Sequence, residues 1–265
     1  MSRAICALAL GAVVAFLALP IVALVAEAPL GDIPDLLGTQ VVQDALRVTV
    51  TTNLVANVLI VGLGTPAAWL LATRRFRGRG AITTLCELPL VLPPAVAGVA
   101  LLSAFGGDGL LGGTGLPFTS WAVVLAVAFV ASPFYLRQAI AAFEALDPDL
   151  IDVARTLGAS RTRAFWRVAL PLARSGLVAG WVLAFARGIG EFGATIIFAG
   201  NVQGRTQTLT LAVYQQLDVD IDVALALGVL LLALSGGVLV SYKLIGGWRR
   251  SSSTSPATFA TSPSS

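Results

Sequence analysis

Apolar side chains fill long unbroken stretches of this chain, and polar ones gather in the joints between them. Runs at 4–26, 48–73, 81–104, 121–141, 176–199 and 223–246 each approach or exceed the about 20 residues that carry an α-helix across ~30 Å of hydrocarbon. The pattern predicts an all-α integral membrane protein with about six transmembrane helices. It divides the chain into a first helix with its outer loop (1–47), a membrane core (48–246) that contains one long polar loop (142–175), and a tail (247–265) rich in Ser, Thr and Pro that reads as disordered. Arg3, the first run and Ala26-Glu27-Ala28 also fit a signal peptide, but an apolar stretch from 4 to 26 exceeds the about 7 to 15 residues of such a segment and favours a retained helix.

Composition agrees: 57% of residues are hydrophobic, 12% are charged and the mean hydropathy is +0.88, which excludes a soluble globular domain. Of the 17 basic residues, 14 fall on one side if the N-terminus is inside, two (Arg47 and Arg205) fall outside and Arg187 lies within a span. The outer segments are acidic, with Glu27, Asp32, Asp35, Asp44, Asp108, Asp218, Asp220 and Asp222. The pI near 9.3 therefore reflects topology and gives no reason to expect nucleic acid as a partner. Both cysteines, Cys6 and Cys86, sit in apolar runs and read as small hydrophobes. There is no histidine, so neither an imidazole metal site nor histidine acid/base catalysis is expected.

The spans are interrupted. Pro66, Pro133 and the cluster Pro89, Pro93 and Pro94 in LPLVLPP each remove a backbone donor inside the membrane. Three prolines in six residues predict a bent helix near a pathway, since freed carbonyls need a wet cavity or a neighbouring helix. The glycine-rich segment from Gly106 to Phe118 lacks the flanking strand and helix of a phosphate-cradling loop and reads as a flexible connection.

The loop AFEALDPDLIDVARTLGASRTRAFWRVALPLARS predicts two short amphipathic helices. Asp147-Pro148 is an N-cap followed by proline at the first helical position, Ile151, Ala154 and Leu157 recur at three-residue spacing, and Gly158 offers a left-handed stop. A second start follows at Ser160, and Pro171 is expected to close that helix. Such helices either lie flat on the lipid surface or dock a partner.

The same residues carry a resemblance. Asp152-Val153-Ala154, then Gly158, then nine residues, then Val168-Ala169-Leu170-Pro171 resembles the EAA loop of the permease subunits of binding-protein-dependent ATP-binding cassette importers, with DVA for EAA and valine for isoleucine. LPLVLPPAVAGVALLSAFG, ARTLGAS, FWRVALPLA, RGIGEFGATIIFAGN and GRTQTLTLAVYQQLD, spread over about Thr49 to Val240, are similar to the molybdate branch of that family more than to its sulfate branch. The resemblance implies a type I importer-permease core in the inner membrane of a prokaryote with both termini cytoplasmic. It also implies a separate ATPase subunit that binds ATP and Mg, an external oxyanion-binding protein and a second copy of this chain. On that reading Asp152, Ala154, Leu157, Gly158, Leu170 and Pro171 couple the chain to its ATPase through the 147–171 loop. The chain is then a transporter subunit rather than an enzyme: the P-loop pattern G-x-x-x-x-G-K-[ST] needs a lysine, and the one lysine is Lys243 in SYKLIGG. A transporter or channel driven by an ion gradient is the alternative, since broken helices and buried charges also occur there.

In GEFGATIIFAGN an acid lies at bilayer depth. Arg187 and Glu191 are four residues apart and share a face if the helix is continuous from 176 to 199, which would put Glu191 about 12 Å below its outer end. A charge there costs roughly 2.5 to 3.5 kcal/mol, so the pair is expected to face the bundle interior or a water-filled cavity. Either it is a structural ion pair, with Gly188, Gly190 and Gly193 permitting close helix approach, or Arg187, Glu191, Thr195 and Asn201 line a translocation pathway or gate for an oxyanion.

Overall fold

The computed structural model describes residues 3–250; of the expected tail, residues 251–265 lie outside the described residues. The described residues are helical, with no strand among them. Five helices are long and apolar enough to cross a membrane, and a bent pair makes a sixth candidate span.

Helix α1 (Arg3–Glu27) stands at the edge, with Leu8 and Phe16 largely exposed, and touches the bundle chiefly along α12 (Ile221–Arg250). A short α2 (Ile33–Gly38) leads into α3 (Gln40–Thr73), which begins eight residues before the expected span and runs unbroken through Pro66. Helix α6 (Ser120–Glu144) also passes through its proline, Pro133. The carbonyl that Pro133 cannot engage, that of Phe129, accepts the Ser132 hydroxyl at 3.3 Å.

LPLVLPP breaks its helix as expected. Leu92 and Pro93, each followed by a proline, are held out of the helical region at ψ 132° and 137°. Between helix α4 (Arg79–Val91) and α5 (Pro94–Phe105) the chain therefore bends by 118°. The glycine-rich connection that follows is folded onto the end of α5 rather than extended: Leu110 and Leu111 N–H donate to Ser103 and Ala104 O, and Phe118 N–H donates to Phe198 O.

The fifth span departs from expectation. After α7 (Pro148–Thr156) and α8 (Arg161–Ala164) the chain makes a π turn, Phe165–Ala169, and continues directly into α9 (Leu170–Ile189). Pro171 does not close a helix. It sits in the first turn of α9, directly after the π turn in which the Leu170 N–H donates to Phe165 O, a place where the regular helical ladder is already interrupted. Helix α9 then stops at Ile189, and α10 (Gly193–Ala199) is a separate short helix packed on α5 and α6. Helix α11 (Leu209–Gln216), absent from the sequence reading, packs against α12 and α3.

Small residues set the spacing of the central block α3, α6 and α9. Gly176, Gly180, Ala184 and Gly188 recur every four residues along α9, a stripe that allows close helix approach. A Cβ at Gly180 would stand 2.9 Å from Gln138 Cβ and 3.2 Å from Tyr135 O of α6. Between α3 and α6, Thr65 Oγ1 and Tyr135 Oη share a 2.6 Å hydrogen bond. Gly180→Val is expected to separate α6 from α9 and to destabilise the purified protein by about 1–3 kcal/mol. Gly62→Val, where nothing lies within 4 Å, is the control; equal thermal unfolding of the two variants in detergent would refute tight α6–α9 packing.

Candidate functional site

Three glycines and a carboxylate explain why α9 ends within the bundle. Gly188, Gly190 and Gly193 bracket Glu191, and each weakens helix continuation. The Glu191 side chain stabilises the break: its Oε1 accepts the Ala194 N–H at 2.8 Å and so caps α10. Its Oε2 lies 2.7 Å from Arg187 Nη2, a charge contact without an aligned hydrogen bond. The side chain is almost fully buried and that of Arg187 is 28% exposed, so the pair presents its cation outward. The expected pairing is present, but Glu191 lies on an irregular segment past the end of α9 and not on a continuous helix to 199.

Neighbouring helices hold the break from two sides. The Thr210 hydroxyl of α11 donates to Glu191 O at 2.7 Å, and Tyr214 stacks at a tilt against Phe192 with ring centroids 5.1 Å apart. The start of α11 is fixed to α3 by Leu209 N–H donating to Thr49 Oγ1 at 2.8 Å. Asn53 Nδ2 donates to Phe185 O near the end of α9 at 3.1 Å, and Asn57 Nδ2 donates to Asn53 O and Oδ1. A Cβ at Gly188 would overlap Asn53 Oδ1, so α3 meets α9 at closest range beside the ion pair. The sequence reading did not single out Thr49, Asn53, Asn57 or Thr210. The available signal was the four-residue spacing of Thr49, Asn53 and Asn57 inside an apolar run, which puts three polar groups on one face.

Thr195 is fully buried on α10, and its Oγ1 has no protein partner. Asn201 lies past α10, where its Nδ2 donates to Gln215 Oε1 at 3.2 Å; Gln207 Nε2 reaches the same oxygen at 2.5 Å. The four residues expected at a gate thus fall on one segment. Arg187 and Glu191 are in contact, while Asn201 belongs to a separate amide cluster with Gln207 and Gln215.

The other set lies at the opposite end of α9. Asp147 caps α7 by accepting Asp149 N–H, and Ser160 caps α8 by accepting Arg163 N–H. Gly158, at φ +87°, ends α7: its N–H reaches Arg155 O and the Ala159 N–H reaches Ala154 O, both at 3.0 Å. Ile151 and Ala154 turn toward the bundle, whereas Leu150, Val153 and Leu157 are 47%, 56% and 83% exposed and form an outward apolar ridge. Leu157 therefore parts from the face of Ile151 and Ala154, because the helix ends at Thr156. Asp152 is exposed and lies 3.8 Å from Arg155; Leu170 packs into the core and Pro171 is exposed on α9.

Behind α7 the rings of Trp69 (α3), Phe143 (α6) and Phe165 (the π turn) pack together, with centroids 5.2 to 6.2 Å apart. A cavity of about 560 Å³ opens beside them, bordered by Arg74, Arg75, Arg79, Arg155 and Arg161 and by Glu144, which pairs with Arg79. Helix α7 packs on α8 and on the π turn that leads into α9, and its Ile151 joins the apolar cluster of Trp69 and Phe143, so a force on this exposed helix has a packed route toward α9, α3 and α6.

Comparison with known proteins adds four findings. The family described as "Binding-protein-dependent transport system inner membrane component" matches residues 60–245. The chain is 44% identical over 209 residues to the molybdenum transport system permease protein ModB of Mycobacterium tuberculosis, covering 77% of this chain and 79% of that protein. It is 35% identical over 218 residues to the sulfate transport system permease protein CysW of a Synechocystis species, covering 79% and 78%. Its fold is similar to a chain of a bacterial alginate ABC transporter solved with its alginate-bound periplasmic protein, at a TM-score of 0.73 and 15% identity over 94% of this chain and 95% of that one.

The dual role of Glu191 separates two variants. Glu191→Gln keeps an oxygen for the Ala194 N–H and loses the charge, while Glu191→Ala loses both. The alanine variant is expected to be less stable than the glutamine variant by about 1 kcal/mol, the worth of a capping side chain, in thermal unfolding of the purified protein; identical melting would show that the cap contributes nothing.

Proposed function

Because the chain belongs to the family of binding-protein-dependent transport system inner membrane components, we propose that it is the permease subunit through which molybdate, or a related tetrahedral oxyanion, enters the cytoplasm. The observation that carries this reading is helix α7: short, capped at both ends, apolar on its outer face, packed on α8 and on the π turn that leads into α9, with Ile151 joining the apolar cluster of Trp69 and Phe143. A lipid-surface helix would not require that seat. The relationship to a molybdenum permease is stronger than that to a sulfate permease and favours molybdate.

The chain supplies a path and a lever, and energy comes from a partner. A separate ATPase subunit, holding ATP and Mg, grips the Leu150–Val153–Leu157 ridge around Gly158. Its closure is passed through the Trp69–Phe143–Phe165 cluster to α3 and α6, and through the π turn to α9. Helix α9 has 20 residues, about 30 Å, and ends at the Arg187–Glu191 pair, so displacement at its base is delivered to the gate. There Arg187 offsets the charge of the passing oxyanion and Glu191 keeps it from being held too tightly. A second copy of the chain completes the pathway, and an external binding protein docks at the acidic outer segments around Asp218, Asp220 and Asp222. The excess of basic residues on one side supports an inner-membrane topology with both termini cytoplasmic.

Reconstituted with its ATPase and binding protein, the chain is expected to show molybdate-stimulated ATP hydrolysis and ATP-dependent molybdate uptake. Glu191→Ala should lower uptake by about tenfold, the scale of one charge-assisted hydrogen bond, while the protein remains in the membrane. Wild-type uptake in that variant would reject the gate role, and uphill transport by this polypeptide alone, without nucleotide, would reject the permease reading.

A further inference from the structure

Another arginine–carboxylate pair lies across the proline bend from Arg187 and Glu191. Arg137 Nε on α6 is 3.3 Å from Glu87 Oε1 on α4, with side chains 63% and 40% exposed. Arg137 is seven residues inside the end of α6 at Glu144, and Glu87 is eight residues inside the start of α4 at Arg79. Both therefore lie about 10 Å from the basic end of the bundle. The sequence reading counted Arg137 with the inner basic residues and gave it no separate role.

Arg137 and Gln138 are the polar side chains of a cavity of about 340 Å³ whose other walls are Leu90, Phe134, Ala141 and Leu183. That is the composition of a ligand pocket: apolar walls with a few convergent polar groups. The guanidinium fork offers N–H groups to two oxygens of one anion, and the Gln138 amide offers another donor. A guanidinium at such depth is costly against hydrocarbon and is expected to face a water-filled cavity or the bundle interior. The site is also aligned with the gate. Leu183 and Arg187 are four residues apart on α9, so the cavity wall and the gate arginine share one helix face, one turn apart. The far arm of the bend reaches the gate as well, since Pro94 abuts Gly193 so closely that a Cβ there would lie 2.5 Å from Pro94 Cβ.

We propose that Arg137, with Gln138, forms a second oxyanion station on the cytoplasmic side of the gate, which receives the tetrahedral anion after it leaves Arg187. Glu87 plays the part that Glu191 plays above it, competing for the guanidinium so that the anion is passed on. This assignment rests on the permease reading, and it adds a binding site to it.

The test uses the complete transporter, with ATPase and binding protein, in proteoliposomes. Arg137→Gln is expected to lower molybdate uptake at least about tenfold, as for loss of a charge-assisted hydrogen bond, while ATP hydrolysis stimulated by the loaded binding protein persists. Arg137→Lys, which keeps the charge and loses the fork, should fall between. A binding readout comes from Leu183→Cys in a background with Cys6→Ala and Cys86→Ala: molybdate should slow its labelling by a membrane-impermeant thiol reagent from the cytoplasmic face, and Arg137→Gln should abolish that protection. Failure of the wild-type complex to carry molybdate would sink the permease reading itself. Normal wild-type transport with equally fast uptake in Arg137→Gln, or with labelling of Leu183→Cys that ignores molybdate, would overturn the second station alone.

Discussion

The organisation of this bundle depends on one buried carboxylate at a place where a membrane helix stops. An interrupted helix exposes amide N–H and carbonyl groups, and hydrocarbon offers them nothing to bind. Glu191 meets that constraint by taking the Ala194 N–H with one oxygen and standing against Arg187 with the other. Its main-chain carbonyl takes the Thr210 hydroxyl. A single residue thereby stabilises the break, starts the next helix and neutralises an arginine. Because these roles fall on one side chain, the local structure and the local charge cannot change independently: movement of α10 away from the carboxylate would also change what Arg187 faces.

At the other end of α9 the constraint is mechanical. A proline-closed helix pair, as the sequence suggested, would have left the α7–α8 segment hinged and loosely attached to the membrane helices. The π turn instead joins α8 to α9 without a gap, and Phe165 within it packs on Trp69 and Phe143. Packed aromatic contacts of this kind transmit displacement because a close-packed interior has no slack to absorb it. Along α9 the small-residue stripe keeps the helix against α6 at a distance set by backbone contact, so the rod moves with its neighbour or not at all.

Most of the scaffold was legible in the sequence because its signals are local. Apolar length gave the spans, Leu92-Pro93-Pro94 gave the bend, and Asp147-Pro148, Gly158 and Ser160 gave the caps of the helices between α6 and α9. The π turn was not legible, because proline at position 171 reads the same whether it ends a helix or begins one. The break at Glu191 was missed for a related reason. Within an apolar run, a hydropathy pattern does not distinguish a helix that continues from one that stops and restarts, and the stop here is stabilised by Thr210, a residue 19 positions away. Asn53 was hidden in the same way: its partner is the carbonyl of Phe185, 132 residues away, and Asn57 in turn donates to Asn53. What long-range hydrogen bonds decide, a single sequence shows only as polar residues out of place.

The pairing of arginines with carboxylates along the bundle bears on how an anion could pass rather than merely bind. Arg79, Arg137 and Arg187 each have an acidic partner on a membrane helix or at its end: Glu144, Glu87 and Glu191. An unpaired guanidinium in a low-dielectric site would attract a divalent oxyanion strongly, and an anion held that firmly would leave slowly. Conduction requires sites favourable enough to enter and weak or numerous enough to leave. On the proposed pathway, a carboxylate beside each guanidinium would lower the net attraction while preserving the geometry that recognises paired oxygens, so an arriving anion would displace the acid and be displaced in turn when the acid returns. Selectivity would then arise from the fork and speed from the competitor. Neither property would survive in a bundle whose arginines stood alone.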